Sequence, residues 1–333
     1  MRLVTFKEGP SGAASSPQRL GALIAGDSQI IDLLTAASGG APSPALASMQ
    51  ALIEAGESGL ALAREAADEA ARTGRGVVPA SSVQLLAPLP VPVQMRDFLC
   101  FEKHLVQAFA QTRLLRASRS PDPAAALAEM ERNGTFSVPK VWYERPIYYK
   151  PSRFAVCGPD HAVTWPAYSQ TMDYELEFAC VIGKPGRDIR REDARGHIFG
   201  YTIFNDFSAR DEQAAEMLGM LGPGKGKDFD GSNALGPCIV TADEIPDPYA
   251  LGMTVRINGE VRGAGNSAEM HWKFEDCIAH VSRGETLHPG EILCSGTVGN
   301  GSGLEIARMM DAGDVVELDV QRIGVLRNRV LRG

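Results

Sequence analysis

The chain has 333 residues, 44% hydrophobic and 22% charged, with 33 Lys and Arg against 41 Asp and Glu and a net charge of −8. That length allows one large domain plus a smaller one, and the composition is that of an ordinary globular protein. The acidic balance, with no basic run among aromatics, argues against nucleic acid as a partner. The N-terminal "MRLVTFKEGPSG" lacks the apolar core of a secretory signal. The uncharged run at 77–95 contains Pro79, Pro88, Pro90 and Pro92, which a membrane-spanning helix would not accommodate. Cys100, Cys157, Cys180, Cys238, Cys277 and Cys294 are widely spaced in mostly apolar contexts. They predict reduced, buried thiols and a cytoplasmic protein in which the two Asn-x-Ser/Thr sequons carry no modification.

In chain order, residues 1–86 read as a small N-terminal α/β domain. "RLVTF", "LGALIAG" and "QIIDLL" predict short strands, and the Ala-rich stretch 44–72 predicts two helical pieces broken near Gly56. A Pro-rich linker at 87–94 follows. From residue 95 to 333 a catalytic domain is expected. "RDFLCF" predicts a strand leading into a helix near Glu102, and 105–140 predicts a lid-like insertion of two helices broken at "SPDP". Strands then dominate, at 153–158, 173–183, 198–205, 236–241, 253–263, 291–295 and 315–331. Asn258-Gly259 marks a hairpin with a type I′ turn. Short helices are expected near 191–197, 209–218 and 274–283, the last with Phe274, Cys277, Ile278 and Val281 on one face. The fold class is α+β, mostly β.

"MDYELEF" (172–178) raises the chemical question. In an extended strand Asp173, Glu175 and Glu177 share one face while Tyr174, Leu176 and Phe178 share the other. Two carboxylates about 4 Å apart repel by roughly 4 kcal/mol at an effective dielectric near 20. A shared proton or a bound cation offsets that; a solvated strand face avoids it. Asp206 stands where "FNDFSARDEQ" turns from strand to helix, a place for a site residue or equally for an N-cap. Asp97 and His104 share "RDFLCFEKH", and "SGTVGNGSGLE" puts Thr297 and Glu305 on either side of a Gly-rich loop. "GMLGPGK" begins like a phosphate-binding loop, but Gly226 stands where Ser or Thr is needed. No GxSxG elbow and no zinc-spaced His pair is present. The oxygen-rich set suits a hard cation: Mg²⁺, Mn²⁺ or Ca²⁺.

These motifs resemble the fumarylacetoacetate hydrolase superfamily: "DYELEFACVIGKPGRDI", "GYTIFNDFSARDEQ", "LGPGKGKDFDGSNALGP" and "SGTVGNGSGLE", in order, from about residue 95 to the end. The N-terminal "MRLVTF…GALIAGDSQIIDLL" is similar to the leading domain of bacterial members. The resemblance implies a mixed β-roll with a divalent cation on Glu175, Glu177 and Asp206. Asp97, seven residues before His104, joins them as in the hydrolases proper. Many short members carry His-x-x-Glu, but Gln107 occupies that Glu position here, which leaves Glu305 as the expected partner of a catalytic His104. By the same resemblance Lys227 lies near metal and substrate. Gln213, Thr297, Arg113 and Tyr149, or its neighbour Tyr148, become substrate contacts, with a packed Tyr and a solvated Arg as the competing roles.

The implied activity is metal-dependent hydrolysis of a C–C bond in a 1,3-diketo acid such as an acylpyruvate or fumarylacetoacetate, in catabolism of aromatic compounds. A homodimer is the family habit. The same superfamily includes decarboxylases, hydratases and isomerases of 2-oxo acids, which use the same metal-stabilised enolates. A metal-binding protein without catalysis is the remaining alternative.

Overall fold

A computed structural model of the chain describes residues 1–9, 16–37 and 43–333. Strands β1 (Arg2–Glu8), β2 (Arg19–Ile24) and β3 (Gln29–Asp32) form an antiparallel meander. After the short α1 (Leu33–Ala36), the long α2 (Met49–Thr73) breaks at Gly56, where φ is 58° and ψ is −136°. Ser48 caps α2 by accepting from the Ala51 N–H, and Gly74 ends it at φ 71°, so a helical pair broken at Gly56 is what forms. β4 (Val77–Pro79) and β5 (Val83–Leu85) complete this part.

β6 (Met95–Phe98) leads into α3 (Glu102–Ala117), α4 (Pro123–Arg132) and α5 (Lys140–Glu144). Asp122 caps α4 and Pro123 occupies its first turn, so "SPDP" both stops one helix and starts the next. Then come β7 (Tyr148–Tyr149), β8 (Val156–Cys157), β9 (Ala162–Trp165), β10 (Met172–Asp173), β11 (Leu176–Ile182), β12 (Gly186–Arg187), β13 (Ile198–Asp206) and β14 (Ser208–Ala209). α6 (Arg210–Glu216) and β15 (Asn233–Thr241) follow. The hairpin of β16 (Gly252–Ile257) and β17 (Glu260–Asn266) turns at Asn258 (φ 53°) and Gly259 (φ 83°), the positive pair a type I′ turn requires. The chain closes with α7 (Phe274–Val281), β18 (Thr286–Leu287), β19 (Ile292–Cys294), β20 (Val315–Val320) and β21 (Gly324–Arg332).

A 12-stranded mixed sheet runs β4-β3-β2-β1-β15-β13-β11-β19-β6-β7, with β5 on β1 and β8 on β15. Because β1 pairs with β15, the N-terminal strands belong to one sheet with the strands that follow residue 95. A five-stranded sheet, β17-β16-β20-β21-β9, contributes Val255 and Leu318 to a core shared with Phe178, Tyr201 and Phe274. This is the mixed α/β architecture, with a large mixed sheet, that the resemblance implies.

Three strand expectations are corrected; of the strand expected at 153–158 only Val156–Cys157 forms. The continuous strand over 173–183 is interrupted: Tyr174 is outside any strand and Glu175 makes only an isolated bridge to Ser302. The Gly-rich loop inserts there, with the Leu176 N–H donating to the Gly301 carbonyl. Residues 315–331 form two strands because the chain reverses at Arg322 (φ 69°) and Gly324 (φ 119°). β13, β11, β19 and β6 lie side by side in the large sheet, and that order brings Asp206, Glu177 and Asp97 to one place.

Candidate active site

Oxygen atoms of Asp97, Glu175, Glu177 and Asp206, one from each, all lie within 4.8 Å of one another, and all four residues are buried. Glu177 and Asp206 are 0% exposed, so a solvated strand face is excluded. Asp97 ends a parallel pairing of β6 with β19, while Glu177 and Asp206 come from the paired strands β11 and β13. Asp206 sits at the end of β13 and caps no helix; α6 starts four residues later with Ala209 in the capping position and no side-chain cap.

Asp173 leaves this group. The strand break turns it away, and its carboxylate accepts from the N–H groups of Gly303 and Leu304 and from Arg210 Nε at 2.8 Å. A Cβ on Gly303 would lie 2.5 Å from Asp173 Oδ1, so only glycine admits this approach. The three acids of "DYELE" therefore do not share one face.

Lys227 Nζ donates to Glu175 Oε2 at 2.6 Å and to Asp206 Oδ2 at 2.5 Å. Gly226 places it there: a Cβ at that position would lie 2.5 Å from the Gln213 backbone, so the loop closes on α6 only with glycine. Arg210, which sequence reasoning missed, is 8% exposed and reaches Asp173, Glu175 Oε1 (2.7 Å) and Gln213 Oε1 (2.9 Å). The available signal was a cation inside an otherwise acidic motif, "SARDEQ".

Burial opposes ionisation of Glu175, but Arg210, Lys227 and His104 outweigh it and lower its pKa. Asp97 and Glu177 move the other way. Burial first, and then the neighbouring acids, Asp206 for Asp97 and Asp97 for Glu177, push both well above the ordinary carboxylate range. Burial also raises Asp206, against the pull of Lys227.

His104 Nδ1 lies 3.1 Å from Glu305 Oε1. Glu305 also accepts from the Asn300 N–H at 3.2 Å and the Ser302 N–H at 2.8 Å. An acceptor-only carboxylate opposite Nδ1 assigns the proton to Nδ1 and leaves Nε2 free to act as a base. Tyr149, not Tyr148, reaches the carboxylates: its hydroxyl donates to Asp206 Oδ2 at 2.6 Å. The Tyr148 ring packs on Phe98 at 5.2 Å. Thr297 Oγ donates to Glu177 at 3.4 Å. Arg113 is not brought to the carboxylates; it donates to the Phe136 carbonyl at 2.7 Å, inside the helical insertion. A cavity of about 400 Å³ opens beside Tyr149, walled by Lys150, Glu216, Asp228 and the loop at 221–224.

The site fits a divalent cation. Asp97 Oδ1 and Asp206 Oδ1 are buried without any hydrogen-bond partner, and such atoms are costly unless something binds them. An all-oxygen donor set selects a hard ion.

The family model of the fumarylacetoacetate (FAA) hydrolase C-terminal domain matches residues 121–331. The chain belongs to the fumarylacetoacetate hydrolase family. Within it, the chain is 34% identical to "Oxaloacetate tautomerase fahd2, mitochondrial" of Xenopus laevis, over 99% of this chain and 90% of that protein. It is 35% identical to "Oxaloacetate tautomerase YisK" of Bacillus subtilis, over 56% of this chain and 62% of that protein. A crystal structure of a probable 2-hydroxyhepta-2,4-diene-1,7-dioate isomerase from Mycobacterium abscessus superposes with a TM-score of 0.71 at 25% identity, covering 100% of this chain and 99% of that one.

These relatives overturn the expected C–C bond hydrolase, because the curated ones are named as tautomerases, isomerases of an oxo acid. The physical reason is that a His–Glu pair beside a cation site serves proton transfer to carbon as well as activation of water. The dyad therefore does not favour hydrolysis. Nothing in these names bears out a place in aromatic catabolism. Among the described residues no helix is long and apolar enough to cross a membrane.

Proposed function

We propose that the chain interconverts the keto and enol forms of oxaloacetate or a closely related 2-oxo dicarboxylic acid, with Mg²⁺ or Mn²⁺ held by Asp97, Glu175, Glu177 and Asp206. One observation carries this: a buried His104–Glu305 pair and a Lys227–carboxylate cluster occur together in a chain whose near full-length relative is named oxaloacetate tautomerase. The cation, when bound, supplies Lewis acidity that makes the carbon beside the substrate carbonyl easier to deprotonate.

His104 Nε2 takes the proton from that carbon, with Glu305 holding the ring and supporting the imidazolium. Lys227 Nζ donates toward the carbonyl oxygen as negative charge grows there and supplies the proton that makes the enol. One C–H bond breaks and one O–H bond forms, no water is consumed, and His104 and Lys227 recover their starting protonation through solvent. Gln213, its Oε1 held by Arg210, has its amide N–H groups left for a substrate oxygen, and Tyr149 lines the cavity. The unpaired, buried cysteines support a reducing compartment such as the cytoplasm. The homodimer implied by the family belongs to the same proposal and is checked by sedimentation.

The test follows the ultraviolet absorbance of the oxaloacetate enol with chelated and with Mg²⁺- or Mn²⁺-loaded protein. Loaded protein accelerates equilibration well beyond the free ion. Equal rates with the ion alone, or release of pyruvate and CO₂ as the main event, overturn the proposal.

A further inference from the structure

Gln107 lies one helical turn after His104 on α3, on the same face. Its Nε2 donates to Asn300 Oδ1 at 2.7 Å, and its Oε1 accepts from the Asn300 N–H at 3.1 Å. That N–H is shared with Glu305 Oε1, 3.2 Å away. Asn300 Nδ2 donates to the Ala264 carbonyl at 3.1 Å, on β17. With Nδ2 committed to Ala264, Asn300 Oδ1 needs a donor, which an amide provides and a carboxylate does not. Asn300 also has φ 66°, in the left-handed region that Asn adopts more readily than other non-glycine residues.

We propose that Gln107 is a positioning residue for the dyad. By gripping Asn300 at two points it fixes the loop whose Asn300 and Ser302 N–H groups hold Glu305, and so it sets the direction in which His104 presents Nε2. A glutamine, rather than an acid, is required at this position because the clamp needs a donor. The rate readout below rests on the tautomerase proposal; the exchange readout does not.

Gln107→Ala, Gln107→Glu, Asn300→Gly and the Ala/Gly double variant are compared with the wild-type protein. Glycine keeps the left-handed backbone at residue 300 while removing its side chain. Each single variant lowers kcat for oxaloacetate about tenfold, the size seen when a group that orients a catalytic residue is lost. KM stays within about twofold and metal content is unchanged, since neither residue touches substrate or ligand carboxylates. The double variant is no slower than the slower single one, because both changes open the same clamp. In parallel, backbone amides at 299–305 exchange faster with deuterium in Gln107→Ala and Asn300→Gly.

An unchanged kcat, a rise in KM alone, or a double-variant loss equal to the product of the single losses overturns the proposal. Unchanged exchange at 299–305 overturns it even if the wild-type protein proves inactive on oxaloacetate, so the two proposals fail separately. If Gln107→Ala does not fold, Gln107→Glu and Asn300→Gly carry the same comparison.

Discussion

His104 Nδ1 and Glu305 Oε1 stand 3.1 Å apart although 201 positions separate them in the chain. Helix α3 brings the first and a 3₁₀ turn (Leu304–Ile306) after the Gly-rich loop brings the second. Both side chains are buried, so the pair is shielded from bulk water while Nε2 stays available.

Replacing His104 with Ala removes the proposed base without touching an oxygen ligand. Turnover of oxaloacetate falls by about 10²–10⁴, the range for losing a general base. Metal content, read by elemental analysis, stays at the wild-type level. Loss of metal would reassign His104 to the cation site.

Glu177 is buried within β11, with Oε2 accepting from the Gly296 N–H at 2.9 Å. Glu177→Gln removes one negative ligand and keeps the volume. Calorimetric titration with Mn²⁺ should show affinity weaker by about 10-fold or more. Unchanged affinity would mean the cation lies elsewhere.

Asp97 and Glu177 have pKa values pushed well above their ordinary 3.8 and 4.5, burial first and then neighbouring acids being the cause. Such groups stabilise the fold fully below the unfolded pKa, and that contribution is lost as pH rises through the folded value. The chelated protein therefore loses part of its stability as pH climbs above the ordinary carboxylate range. A divalent cation bound to these carboxylates would take the place of those protons. The gain in Tm on adding Mg²⁺ should grow with pH, as followed by scanning fluorimetry, and a gain that shrinks would contradict the buried, proton-holding cluster.

Arg210 is buried between Asp173 and Glu175, with burial opposing its charge and the two carboxylates raising its pKa. Arg210→Met leaves Asp173 buried without a counter-charge and should cost about 3–5 kcal/mol. Denaturant unfolding measures it, and a change below about 1 kcal/mol would show that Asp173 is satisfied by the Tyr174, Gly303 and Leu304 N–H groups alone.

Much of the scaffold is readable from local patterns. Gly56 breaks α2, "SPDP" separates α3 from α4, and Asn258-Gly259 turns the hairpin, because each is set by the dihedral preferences of one or two residues. The alternation in "DYELEF" overstated the strand. It could not register that the Gly301 carbonyl takes the Leu176 N–H, or that Arg210 draws Asp173 aside. Arg113 has the spacing of a substrate contact, and spacing could not register that one of its terminal nitrogens donates to the Phe136 carbonyl within the insertion.

The sequence by itself determined the chemical type of the candidate groups, oxygen donors with a histidine and a carboxylate beside them, since side-chain chemistry is carried by each residue wherever it ends up. It also determined the local breaks and turns, which depend on neighbouring residues alone. Only the tertiary structure decided which acids meet. Asp97 and Asp206 are 109 positions apart, and strand order across the sheet, a sum of many long-range pairings, brings them into one cluster. It likewise decided that Tyr149 rather than Tyr148 faces Asp206, because the side of a short strand that turns inward depends on the core it packs against.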